Sequence, residues 1–147
     1  YLICHDNSTT LWNLFTTRGY EDGFYLTPSN EIFRLDFDNP YTARISGWMR
    51  MHGQRPASLH PETELPLAAY LLQYSKANSI YVTVMLDNGD RVTGEVADVG
   101  EACAMLAVVD DDGKKCGTSI IRNDTIVRIW SNSGVERNIQ ELSALQA

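Results

Sequence analysis

The sequence predicts a mainly β protein built around a small, strongly bent antiparallel barrel with a helix in front of it. Three observations predict this. Residues 80–130 hold five short β-rich runs in succession. Asn88-Gly89 separates two alternating runs, a strong short-range hairpin signal because both residues tolerate the positive φ of a tight turn. Gly94 interrupts the second run, the mark of a bend or bulge where a small barrel curls.

At the N-terminus, residues 11–17 and 24–26 read as strands around a turn from Gly19 to Gly23, and Thr27-Pro28-Ser29-Asn30 breaks the second. The next run alternates, with Phe33, Leu35 and Phe37 on the face expected to meet a core. Asp38-Asn39-Pro40 turns the chain, and residues 41–51 resume a β-like composition. Residues 1–55 are thus expected to form an N-terminal β domain. Its rhythm repeats that of residues 80–130, as an internal duplication with two small barrels in tandem would give, or an unrelated β-meander. Residues 56–64, with Pro56 and Pro61, form the expected linker to a second domain at 65–147.

That domain opens with a helix at residues 66–77. Leu67, Tyr70, Leu71 and Tyr74 make one apolar stripe, and Pro66 suits the first turn. In the strands that follow, Val82, Val84 and Leu86 alternate with Thr83, Met85 and Asp87. Val92 and Val96 continue the pattern after the turn, and residues 102–109 form a short run apolar on both faces. Asp110-Asp111-Asp112-Gly113 is a turn, followed by runs at 114–121 and 125–130. Ser133 and Glu136 have the spacing of a capping box. Val135, Ile139, Leu142 and Leu145 then stripe a C-terminal helix, to be docked on its own chain or offered to a partner.

The chain has 147 residues, 44% of them hydrophobic, which suits one globular domain or two very small ones. No apolar run is long enough for a membrane-spanning helix. The first residue is Tyr1, which leaves open what precedes it. The formal charge is −7, and residues 61–147 carry most of it, with seven Lys or Arg against thirteen Asp or Glu. That balance excludes a bulk electrostatic attraction for nucleic acid. Cys4, Cys103 and Cys116 are an odd count without CxxC spacing, as a reducing, cytoplasmic setting permits.

One family carries several of these features together. Pro66-Leu67 opens a helix; Val82-Thr83-Val84-Met85-Leu86-Asp87-Asn88-Gly89 and Gly94-Glu95-Val96 follow; Ile121-Arg122-Asn123-Asp124-Thr125-Ile126-Val127-Arg128-Ile129 closes the set. The region from Leu65 to Trp130 resembles an Sm-like (LSm/Hfq-like) domain, an SH3-like barrel. The resemblance implies a homo-oligomer, because Sm-like proteins pair the fourth strand of one copy with the fifth of the next in a ring. Ile126, Arg128 and Ile129 would lie on that pairing edge. It also implies an RNA site at Arg122 and Asn123, with Arg122 as the stacking residue of the family's Ile-Arg loop. Family members that bind RNA carry Asp-x-x-Met-Asn after the second strand. Here Gly100 stands in place of the Asp, Cys103-Ala104 in place of Met-Asn, and Asn123 in place of the usual Gly. Ala104 has no side-chain hydrogen bond to offer a base, so the expected RNA binding is weak and sequence-tolerant.

The residues hold no pattern for catalysis. His5, His52 and His60 lack helical metal spacing, and adjacent Cys4 and His5 point to opposite faces of a strand. There is no phosphate-cradling glycine loop, and the three aspartates before Gly113 lack EF-hand spacing. Tyr20, Tyr25, Tyr41 and Trp48 could make a stacking surface or simply core and rim. The expectation is a non-enzymatic module without metal or cofactor: a homo-oligomer with weak RNA binding, or a protein-interaction or structural module with no RNA role.

Overall fold

The computed structural model describes residues 1–61 and 65–146. Three strands come first: β1 (Leu2–His5), β2 (Thr9–Phe15) and β3 (Glu21–Pro28). Two helices follow, α1 (Pro40–Met51) and α2 (Leu67–Ala77). Then come β4 (Tyr81–Leu86), β5 (Arg91–Val99), β6 (Cys103–Val109), β7 (Lys115–Arg122) and β8 (Ile126–Ser131), and the chain ends in α3 (Gly134–Ala144). Short 3₁₀ turns lie at Ser29–Glu31 and Asn123–Thr125.

The five runs of residues 80–130 are five antiparallel strands behind a helix, as their alternation predicts. They do not close into a barrel. All eight strands form one open sheet in the order β1-β2-β3-β8-β4-β5-β6-β7, with β1 and β7 at its edges. Register shifts within the β5–β6 and β6–β7 pairs mark irregularities that bend the sheet. Gly94 is required by contact: a Cβ there would lie 2.0 Å from the Ala107 carbonyl oxygen. In the β4–β5 turn only Gly89 takes a positive φ, of 89°. Asn88 contributes through its side chain instead, accepting from the Asp90 N–H at 3.0 Å.

The three strands of residues 1–55 join the common sheet and do not close into a second barrel. β3 pairs with β8, placing Phe24, Tyr25 and Leu26 opposite Ser131, Trp130 and Ile129. Leu11, Phe24 and Leu26 share one core with Leu71, Leu72, Val82, Leu106 and Ile129. The linker is packed in its first part, where Ala57 and Leu59 lie against this core. Buried Asn13 holds it, accepting from the Ala57 N–H at 2.8 Å while its amide donates to the Gly23 carbonyl at 2.9 Å. Residues 62–64 of the expected linker lie outside the described residues.

Two N-terminal expectations are corrected. Residues 32–37 are not a strand in a sheet, and Phe33 and Phe37 are 96% and 72% exposed rather than in a core. Both neighbours of β3 are already β2 and β8, so no edge is left beside it for a following strand. Residues 41–51 are helix, not strand. Asn39 accepts from the Thr42 N–H, Thr42 returns the bond, and Pro40 sits in the first turn; this capping box overrides the β-like composition.

The stripe on α2 packs as expected, with Leu67 and Leu71 buried and Tyr70 and Tyr74 partly so. The Ser75 hydroxyl lies 2.8 Å from that of Ser131, tying the helix to β8. The α3 capping box forms, but only one residue of the stripe docks: Ile139 is buried while Val135, Leu142 and Leu145 face solvent. The docking is polar. Buried Glu136 accepts from the Thr83 hydroxyl at 2.7 Å and from the Ser133 N–H at 3.0 Å, and the Tyr81 hydroxyl donates to Ser143 at 3.1 Å.

The N-terminus of α2 is anchored by a distant carboxylate. Asp6 accepts from the Ser8 and Thr9 N–H groups at 2.8 and 2.7 Å and from the Leu67 N–H at 3.4 Å. Burial pushes its carboxyl up, but these hydrogen bonds outweigh burial and hold it below the usual carboxylate range. The folded value therefore lies below the unfolded one. The contribution is complete above the unfolded value of about 3.9 and is lost as pH falls through the folded value. Urea denaturation at a series of pH values is expected to show this acid loss in the wild type and a shallower one in Asp6→Asn. In the sheet, Gly94→Ala forces β5 away from β6 and is expected to cost about 1–3 kcal/mol, read as a lower urea midpoint.

Candidate functional site

Three segments converge on one side of the sheet and line an open cavity of about 890 Å³. Pro66, Ala69 and Gln73 of the α2 region form one wall. The β5–β6 turn at Gly100 forms the second, closed by the Gly100 N–H donating to the Cys103 carbonyl at 2.8 Å. Arg122, Asn123 and Asp124, at the β7–β8 turn, form the third. The structure thus brings together the two residues expected to contact RNA, Arg122 and Asn123, with Gly100.

Both side chains are already engaged. The Arg122 guanidinium donates from Nε to Asp124 Oδ1 at 2.9 Å and from Nη2 to Oδ2 at 2.8 Å, a bidentate fork. The pair is 72% and 69% exposed. The hydrogen bond from Arg122 holds the Asp124 carboxyl below its ordinary range, and the same bond raises Arg122 further. Asn123 braces the turns: its amide donates to the Gly100 and Glu101 carbonyls at 2.9 and 3.0 Å, and its backbone N–H to Ala102 at 2.9 Å. Its Oδ1 is buried with no hydrogen-bond partner among the described residues. Ala104 is buried in the core, so it offers nothing to a ligand by position as well as by chemistry.

The charges lining this cavity do not favour a phosphate backbone. Arg122 is neutralised by Asp124, Glu101 adds a second carboxylate, and Asp87 also acts on Arg122. Sequence reasoning missed the role of Asp124. The signal was present as Arg122-x-Asp124 across a three-residue turn, a spacing that lets the two side chains meet.

The expected pairing edge on β8 is filled where it matters most. Ile129 is fully buried between Val84 of β4 and Leu26 of β3. Arg128 opposes Met85, and its guanidinium makes an ion pair with Glu31 just beyond β3. Ile126 opposes Leu86 and packs against the core. The chain's own β3 thus lies where a neighbouring copy's strand was expected.

The remaining candidates are dispersed. Tyr20 stacks on His52 at 4.2 Å with Trp48 beyond, Tyr25 packs on Trp130 at 5.1 Å, and Tyr41 lies under Arg44 at 5.4 Å. These are three groups rather than one stacking surface. Burial, with the Asp6 charge behind it, pushes the Cys4 thiol up, the opposite of what a nucleophile needs. Asp110 folds its own turn, accepting from the Asp112 and Lys114 N–H groups at 3.1 and 2.8 Å. Among the described residues no three His, Cys, Asp or Glu gather as a metal site, and no helix is long and apolar enough to cross a membrane.

A scan of known protein-family models finds none that matches the chain, and a search of curated proteins finds no match either.

Proposed function

We propose that the chain is a non-enzymatic module on an Sm-like scaffold that acts through protein contact and self-association rather than by reading RNA. The scaffold reading is supported by α2 leading into five antiparallel strands and by the 3₁₀ turn that carries the Ile-Arg loop. The Asn88-Gly89 turn and the Gly94 close approach fit the same pattern. Three free thiols suit a reducing cytoplasm.

One observation carries the functional half: among the described residues, the only cation lining the cavity is held bidentate by Asp124. A base stacking on Arg122 would have to share a guanidinium already oriented by a carboxylate, and the phosphates beside it would meet Glu101 and Asp124. The weak-RNA reading keeps a specific support, since the cavity does lie between Gly100 and Arg122.

Fluorescence anisotropy with short U-rich and A-rich RNAs at low salt separates the two. The wild type is expected to bind neither. Asp124→Ser frees Arg122 and removes one negative charge, so it is expected to gain weak binding without base preference, by at most about 1–3 kcal/mol. Adding Arg122→Ala should cancel that gain. Wild-type binding abolished by Arg122→Ala alone would instead restore the RNA reading.

A further inference from the structure

Two features of this fold lack a counterpart among the described residues. The first is the segment 32–37, outside helix and sheet, whose sequence alternates with a period of two and whose Phe33, Leu35 and Phe37 stand in solvent. A monomer seldom exposes such a row of large apolar side chains without a use for it. The second is the β7 edge. β7 is eight residues long, contains no proline, pairs among the described residues only with β6, and exposes Ile120 to 73%. The Asn123 N–H bonds to Ala102. By the alternation of an antiparallel ladder, Ile121 and Ser119 then face β6, while Ile120 and Thr118 point their backbone groups outward. An edge of this kind is a template for another strand.

We propose that residues 32–37 of one copy add as an antiparallel strand to the β7 edge of a second copy, with Phe33 opposite Ile120. This rests on the protein-contact reading and names the partner as the protein itself. In that register Leu35 falls opposite Thr118. Opposed residues share a face, so both apolar side chains cover the exposed face that carries Ile120. The charges agree with the direction. Residues 114–121 hold Lys114 and Lys115 at the first end of β7 and no acid, in a region otherwise acidic. Antiparallel addition brings Asp38 to the Lys114–Lys115 end of β7, and neither Asp38 nor Lys115 has an ion-pair partner among the described residues. Parallel addition would carry Asp38 to the far end of β7. The other open edge, β1, is four residues long and has no Lys or Arg, so it matches the segment poorly.

Glu31, paired with Arg128, fixes the start of the segment beside β8. Donor and acceptor are different surfaces, so the contact is head-to-tail and growth is not limited to a dimer.

Light scattering across a micromolar concentration series tests this. The wild-type mass is expected to rise with concentration beyond that of a dimer. Phe33→Ser removes the anchor from a solvent-exposed position. Thr118→Pro removes one outward N–H and leaves the β6 ladder intact. Each should weaken association by at least about tenfold, with circular dichroism unchanged. In a Cys116→Ser background, Leu35→Cys and Thr118→Cys proteins should form a mutual disulfide only when mixed and oxidised. A monomer at every concentration, association untouched by Phe33→Ser, or no mixed disulfide would overturn the proposal. The RNA titrations depend on Arg122 and Asp124 instead, so failure here with no RNA binding there would leave the protein-contact reading standing with a different partner.

Discussion

The pairing of β3 with β8 is the constraint on which the rest of this structure depends. Three residue pairs, ending at Leu26 and Ile129, join the three N-terminal strands to five C-terminal strands and make one sheet of eight. Through that seam Leu11, Phe24 and Leu26 reach the same core as α2. Small units bury too little surface to be stable alone, and the seam gives both halves a larger common interior. It also decides the edges: β8 becomes an inner strand, and β1 and β7 are left at the margins.

Around the cavity the chain uses polar contacts where a ligand would otherwise find free groups. Asn123 satisfies the carbonyls of the facing turn, and Asp124 satisfies Arg122. Each bond is modest alone, but together they fix two turns against each other and leave the cavity without an unmatched positive charge. The same economy appears at α3, where the Glu136 carboxylate does the docking that an apolar stripe would ordinarily do. Polar contacts of this type need partners at set distances, so they fix where a helix sits more narrowly than apolar contact does.

The parts of the fold that were legible are those encoded locally. Alternation at residues 82–86, the Asn88-Gly89 turn, the glycine at 94, the stripe on α2 and the Ser133–Glu136 box each act over a few residues. What was illegible depends on distant partners. Nothing near Phe33 says that β3 is already flanked on both sides, and nothing in α3 says that Thr83 waits for Glu136. Residues 41–51 are a different case, because Asn39 and Pro40 carry a helix-start signal whose composition is equally that of a turn. At the site, the position of Arg122 and Asn123 was readable from the loop, whereas their prior engagement by Asp124 and the facing carbonyls was not.

The β3–β8 seam also sets an order of events in folding. Its partners stand about a hundred residues apart, so the chain must close a long loop before any of those contacts form. The β4–β5 hairpin, with its tight turn, can form early and alone. In a chain made from its N-terminus, β3 leaves the ribosome long before β8 exists. During that interval Phe24 and Leu26 have no β8 to lie against, and one side of β3 is an unpaired template. The long loop between these partners makes docking of the N-terminal strands an expected slow step in refolding, and until β8 is made the open side of β3 is a place where mispairing can start.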